Sequence, residues 1–189
     1  MKEIVLDIET QTGVSAGGRN NRDMKISLVG IYRYETDTYE AFLENEFINL
    51  WPILEHSTRI IGYNLDYFDM PILNNYYPGD ITKIPTLDIM DVIYKVLGFR
   101  VKLDDVAKAT LDVGKSGTGL QAVTLFNEGR IEELKDYCLQ DVRLTRDIYE
   151  YGKQNGKIFY ESKMSKGEVK VDFTPPENQT HSMNLTLPI

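Results

Sequence analysis

The run Ile4-Val5-Leu6-Asp7-Ile8-Glu9-Thr10 decides how this chain is read. Its apolar, β-branched residues mark a strand. Side chains alternate across a strand, so Asp7 and Glu9, two apart, project from one face side by side. Like charges held together repel, and burial deepens the cost. Such a pair is best kept beside a cation. The run therefore reads as half of a metal site, to be completed by acids from elsewhere in the chain.

Outward from that strand, residues 11–25 are rich in Gly, Asn and Arg and read as a loop. Residues 25–34 and 38–43 follow as two more strands, so the chain opens as an antiparallel meander. Phe47, Leu50, Trp51 and Leu54 recur at helical spacing within 46–56, and 59–63 is a short buried strand. A helix is expected from about 68–71 to 76, with Pro71 welcome in its first turn. Residues 77–80 form a turn and 86–88 are extended. Residues 89–97, 103–110, 120–128 and 131–151 read as helices. Residues 157–162 and 168–173 alternate again around 163–167 as a terminal hairpin, which could add to a sheet edge or to a partner. From Thr174, Pro175-Pro176 and many polar residues read as a loose tail. Strands first, then helices interleaved with a strand, predict an α/β sheet flanked by helices. The expected organisation is one domain over 1–155, the hairpin 156–173 appended to it, and a polar tail over 174–189.

The 189 residues suffice for one core, and 42% hydrophobic with 26% charged is ordinary for a globular protein. No apolar stretch is long enough to span a membrane. Met1-Lys2-Glu3, leading into an acid-bearing strand, lacks the form of a signal peptide. The single cysteine, Cys138, excludes an internal disulfide and fits a reducing cytoplasm. In that compartment the sequons at Asn178 and Asn184 carry no meaning. A net charge of −8 argues against a broad basic surface for nucleic acid. It does not argue against an enzyme that meets a phosphate backbone through divalent cations. Only His56 and His181 are present, which disfavours His-rich zinc sites, Ser-His-Asp triads and histidine general bases.

Two further segments carry acids. Asn64-Leu65-Asp66-Tyr67-Phe68-Asp69 lies at a strand-to-helix junction, where α/β folds place ligand-binding groups. Asp66 or Asp69 could instead merely favour a helix N-terminus. In Tyr137-Cys138-Leu139-Gln140-Asp141, Tyr137 and Asp141 are four apart and share a helix face. Alone, that pair reads as an exposed acid beside a half-buried ring.

Taken in order, Asp7-Ile8-Glu9, Asn64 with Phe68-Asp69, and Tyr137 with Asp141 resemble the three motifs of the DEDD superfamily of 3′–5′ exonucleases over roughly residues 2–151. A tyrosine in the third motif, with no histidine nearby, resembles the tyrosine branch, DEDDy. Residues 103–107 and 141–145 are also similar to the exonuclease domains of family B DNA polymerases and their stand-alone bacterial relatives. The resemblance implies a ribonuclease-H-like fold. It implies Asp7, Glu9, Asp69 and Asp141 as ligands of two divalent cations, Mg²⁺ or Mn²⁺, which suit oxygen donors. The spacing from Asn64 and the adjacent Phe68 favour Asp69 over Asp66. Tyr137 is expected to orient the attacking water, and Thr10, Asn64, Phe68 and Lys115 to contact substrate. The expected reaction removes nucleoside 5′-monophosphates from a 3′ end, with DNA favoured over RNA. An exoribonuclease and an inactive module that binds nucleic acid or protein are the alternatives. With no polymerase or helicase segment after residue 189, the expectation is a protein that works alone or within a repair or replication assembly.

Gly114-Lys115-Ser116-Gly117-Thr118-Gly119 resembles a phosphate-binding loop, but Ala109 stands where such a loop needs its first glycine. It reads as a connection between helices that could touch a nucleic acid backbone. Arg19, Arg22, Lys102 and Lys108 are candidates for guiding a strand. Asp88 reads as a helix cap or a neighbour of the cleft. Cys138 reads as core, turned away from Tyr137 and Asp141. Trp51, Tyr94 and Tyr149 read as packing residues, and Tyr63 or Tyr67 as a stacking surface for a base.

Overall fold

The computed structural model describes residues 2–13, 23–114, 119–162 and 165–174. Strand β1 (Glu3–Thr10) is covered on both faces. Ile4, Leu6 and Ile8 enter one apolar cluster and Val5 enters another. β2 (Ile26–Arg33) and β3 (Thr38–Phe42) continue as the antiparallel meander expected from their alternation. Helix α1 (Phe47–Glu55) buries Phe47, Leu50, Trp51 and Leu54 on the Ile4 face and returns the chain to the other side of β1. There β4 (Arg59–Gly62) pairs parallel with β1, and β5 (Thr86–Asp88) parallel with β4. The sheet order is β3-β2-β1-β4-β5, the mixed α/β sheet that the sequence predicts.

The short helix α2 (Met70–Leu73) packs with α1 on the first face. The Val5 face is covered by α3 (Ile89–Leu97), α4 (Leu103–Leu111), α5 (Gly119–Asn127) and α6 (Ile131–Asn155). Among the described residues no helix is long and apolar enough to cross a membrane.

Three local features depart from the sequence reading. The helix expected after β4 begins instead as a single π-helical turn, Leu65–Asp69, with the Met70 N–H bonded back to the Leu65 carbonyl. Pro71 has no N–H to return to Tyr67, which removes a regular helical bond from this turn. Asn64 enters the turn at φ 65°, a left-handed conformation that asparagine tolerates. Second, α6 runs four residues past the expected end and stops at Gly156, φ 66°. Third, the hairpin of β6 (Lys157–Glu161) and β7 (Lys166–Lys170) forms its own two-stranded sheet and does not extend the main one. It docks on α4, where the Thr110 hydroxyl donates to the Phe159 carbonyl (2.8 Å) and accepts from the Phe159 N–H (2.9 Å). Of residues 171–173, expected to prolong the second strand, only Val171 carries its pairing one step further. The Val171 N–H bonds to the Gly156 carbonyl at 3.0 Å. Phe173 stacks on Tyr149 over Gly152, where a Cβ would collide with the ring. The expected tail from 175 onward lies outside the described residues.

That terminal segment is tied down by a buried ionic network. The Arg59 Nε donates to Glu3 at 2.8 Å, and its Nη2 donates to the Tyr149 hydroxyl (2.8 Å) and the Phe173 carbonyl (3.0 Å). The Tyr149 hydroxyl donates to the other Glu3 oxygen at 2.9 Å. Glu3, Arg59 and Tyr149 are all buried, so truncating one leaves a buried charge without its partner. Arg59→Ala is expected to cost about 3–5 kcal/mol, measured by urea unfolding followed by circular dichroism.

Candidate active site

Asp7 and Glu9 lie on the Val5 face of β1, beneath α6, and oppose Gly30 and Leu28 on β2. Gly30 sets how closely α6 approaches. A Cβ there would come within 2.7 Å of the Cys138 sulfur and 3.2 Å of Val142, so the missing side chain lets the helix settle onto the strand. The Cys138 Sγ consequently lies 3.7 Å from both the main-chain oxygen and Oδ2 of Asp7. The expectation that Cys138 is core is met, since it is fully buried. The expectation that it turns away from the site is overturned. Positions 138 and 141 are three apart and share a helix face. Ligand atoms of Asp7, Glu9 and Cys138 lie within 4.8 Å of one another. Burial, then the charges of Asp7, Glu9 and Asp141, push the thiol well above its ordinary value. The charges of three acids, from a strand and a helix, thus act on one thiol.

Asp69 is the last residue of the π-helical turn and is 3% exposed. β1 pairs with β4 only through Val5, so the Ile8 N–H needs another acceptor. Asp69 Oδ1 supplies it at 3.0 Å. This bond ties the third acid to the residue between the first two. Burial first, then the Asp7 charge, hold the Asp69 carboxyl well above the ordinary Asp value of 3.8, while the Ile8 amide pulls the other way. Asp66, the competing acid, is exposed.

Asp141 is 6% exposed and Tyr137 is buried one turn before it, with its ring among Leu28, Ala122 and Leu125. Asp88 combines both of its sequence readings. It caps α3 through the amides of Met90 and Asp91, and it accepts from the Asn64 N–H (2.9 Å) and the Asp66 N–H (3.1 Å), fixing the entry of the π turn. The Asn64 Oδ1 is buried without a hydrogen-bond partner among the described residues. The Thr10 hydroxyl donates to the Thr12 carbonyl at 2.8 Å, just after the register shift that ends β1. Phe68 is half-buried against the cluster of the Ile4 face. Lys102 and Lys108 are exposed at α4. Lys115, Arg19 and Arg22 lie outside the described residues, as does most of the glycine-rich loop.

Among the aromatic residues, Tyr149 and Trp51 pack as expected, but Tyr94 is 48% exposed. Ile89 and Ile93 fill the inward stripe of α3, and Tyr94 is one residue, or about 100°, beyond it. Tyr63 is committed, its hydroxyl donating to the Val101 carbonyl at 2.8 Å. Tyr67 is 62% exposed. Gly30 and the Ile8 amide were not foreseen. A glycine inside a strand pattern marks close backbone approach, and Gly30 carries that signal.

Chemically, the site sets the charge of Asp7 against the buried Asp69, and those of Asp7, Glu9 and Asp141 against the Cys138 thiol. Oxygen donors of this kind suit a hard divalent cation, which would offset the Asp7 charge that adds to burial in raising Asp69.

Residues 4–152 match the RNase_H_2 family of the RNase_H superfamily. No curated protein matches the sequence. Among solved structures, the chain is similar to the family B DNA polymerase of the hyperthermophilic archaeon Pyrobaculum calidifontis, with a TM-score of 0.59 and 16% identity over 80% of this chain and 24% of the polymerase. It is similar to the zinc-bound E. coli ExoI–ssDNA complex, with a TM-score of 0.56 and 14% identity over 82% of this chain and 41% of that one. A second exonuclease I structure gives 0.55 and 15% over 81% and 41%. The chain thus spans about a quarter of the polymerase and two fifths of the exonuclease. At these identities the likeness is one of fold.

The raised Asp69 pKa has a consequence for stability. Folded Asp69 keeps a proton at pH values where the unfolded chain has lost it, so the folded state binds more protons. Stability of the metal-free protein therefore falls as pH rises from about 4 through the folded pKa. Asp69→Asn keeps the acceptor for Ile8 and removes that loss. In EDTA its melting temperature should exceed that of the wild type at neutral pH, by about 2–4 °C for each kcal/mol relieved. The gap should close near pH 4. Thermal unfolding across a pH series measures this, and a gap independent of pH would contradict it.

Proposed function

This chain belongs to the ribonuclease H superfamily, and we propose that it is a metal-dependent 3′–5′ exonuclease of the tyrosine branch, acting by two metal ions on DNA strands. The observation that supports the reading is the group formed by Asp7, Glu9 and Cys138, with Asp69 bonded to the Ile8 N–H between the two acids and the Asp141 charge acting on the same thiol, one helical turn after Tyr137. The preference for DNA is supported by the neighbours, one a DNA polymerase and one solved with single-stranded DNA.

In this reading the four carboxylates hold two cations, Mg²⁺ or Mn²⁺. When bound, the cations supply Lewis acidity toward the phosphoryl group, a lowered pKa for the attacking water and stabilisation of the departing 3′ oxygen. The remaining work belongs to the chain. The Ile8 N–H and the Cys138 thiol hold Asp69 and Asp7 in place as ligands. The Tyr137 hydroxyl orients the water for in-line attack and need not ionise. Asn64 and Thr10, at the rims of the site, and Phe68 beside Asp69, position the terminal nucleotide. Water adds to phosphorus, the P–O3′ bond breaks, and the products are a nucleoside 5′-monophosphate and a strand one nucleotide shorter with a free 3′ hydroxyl. No covalent enzyme intermediate is needed.

Purified protein incubated with 5′-labelled single strands of DNA or RNA, with Mg²⁺, Mn²⁺ or EDTA, tests this. Stepwise shortening of DNA is expected with either metal and none in EDTA. Asp7→Ala and Asp141→Ala should lower the rate by more than about 10³-fold. Tyr137→Phe should lower it less, about 10–100-fold. No cleavage with any metal, or cleavage unchanged in Asp7→Ala, would sink the proposal. Faster shortening of RNA than DNA would reverse the substrate preference.

A further inference from the structure

On the β5 side of the candidate site lies a cavity of about 260 Å³ lined by Asn64, Asp66, Tyr67, Asp91, Tyr94 and Arg100, with Asp88 at its base. It is linked to Asp69 through Asp88, which lines it, bonds the Asn64 and Asp66 amides at the entry of the π-helical turn and lends its charge to Asp69. Two aromatic rings are left largely open here, Tyr67 at 62% and Tyr94 at 48%. The Arg100 guanidinium stands over one face of Tyr67, 4.6 Å from the ring centre. That contact orients the ring and leaves its other face to solvent.

The chemistry of the walls selects among ligands. A phosphate is disfavoured, because Asp66, Asp88 and Asp91 line the cavity against the single cation of Arg100. A metal ion finds no cage. Among the described residues, the one group of three ligating side chains within reach of each other is Asp7, Glu9 and Cys138. Asp88 is already taken by four backbone amides, and Asp91 pairs with Lys95 at 2.6 Å. A flat, neutral ring fits. The tyrosines offer faces for stacking, and the exposed Asp66 carboxylate can accept from an exocyclic amino group. The volume falls just below the range of about 300–1,000 Å³ usual for drug-sized ligands, a size suited to one base.

We infer that this cavity is a nucleobase subsite, which holds the base of a nucleotide flanking the cleaved bond and favours cytosine, adenine or guanine over thymine. The first three carry an exocyclic amino group for Asp66, and thymine carries none. The inference rests on the nuclease reading for the identity of the strand. The cavity itself can be tested separately, by binding.

Fluorescence anisotropy is measured with 5′-labelled ten-nucleotide DNA strands that differ only in the last two positions (CC, AA, GG or TT). The terminal linkages are phosphorothioates and Ca²⁺ is the only divalent ion. The wild type should bind CC, AA and GG ends about tenfold tighter than TT. Tyr67→Ala should weaken binding of every end roughly 5- to 100-fold, and Tyr67→Phe should restore it. Asp66→Asn should level the preference among ends while leaving TT binding unchanged. Both positions are exposed, and matching thermal melts will show that the variants fold. The subsite is overturned if the wild type binds no strand, if it shows no preference, or if Tyr67→Ala and Asp66→Asn stay within twofold of it on every end. Binding that depends on Tyr67 and Asp66 in a protein that cuts nothing would retain the subsite and discard the nuclease. Cleavage indifferent to both residues would do the reverse.

Discussion

The candidate site hangs on one packing contact, the seating of α6 against the bare backbone of Gly30. A strand can present Asp7 and Glu9, and a helix can present Tyr137 and Asp141, but neither element sets the distance between the two groups. That distance is set where Cys138 and Val142 meet a position with no side chain. The thiol then fills the space beside Asp7. The approach also makes the site electrostatically unfavourable by itself, since it presses like charges together with little water between them. The fold answers part of this with backbone donors. The Ile8 amide, free because β1 and β4 part after Val5, serves Asp69, and four amides serve Asp88. Asp88 thereby steadies the turn that carries Asp69. The remaining repulsion is one that a bound cation would offset.

Much of this was legible in the sequence because it follows from periodicity. The two-residue spacing of Asp7 and Glu9 and the four-residue spacing of Tyr137 and Asp141 are fixed by strand and helix geometry whatever surrounds them. The order of strands and helices followed likewise from alternation and helical stripes. What stayed hidden depends on how elements meet. Cys138 was misplaced because its surroundings are set by Gly30, 108 positions earlier in the chain. Tyr94 was misplaced because a ring just off the apolar stripe is buried only if another element covers it, and none of the described residues covers it fully. The π turn was missed because it keeps the same apolar residues as a regular helix would. Only its hydrogen bonding differs, through one residue more per turn. The hairpin strands resembled any exposed pair, and their docking through Thr110 is a single hydroxyl that no pattern announces.

The π turn links two aspects of the site. It places Asp69 beneath β1 and, two residues earlier, leaves Tyr67 open beside Arg100. A regular helical turn would use one residue fewer and change the angle between those two side chains. The same short segment thus bears on where a cation would sit and on what lies next to it.

Helix α6 also reaches the opposite edge of the sheet. Its Tyr149 joins Glu3 and Arg59 at the starts of β1 and β4, and Arg59 donates there to the carbonyls of Phe173 and Thr174. Glu3 precedes Asp7 by four residues, about 13 Å of strand. Thr174, the last described residue, is therefore anchored near the start of β1, while Asp7 and Glu9 stand toward its end. Glu3 and Asp7 share one face of β1, so what separates this anchor from the acids is the length of the strand.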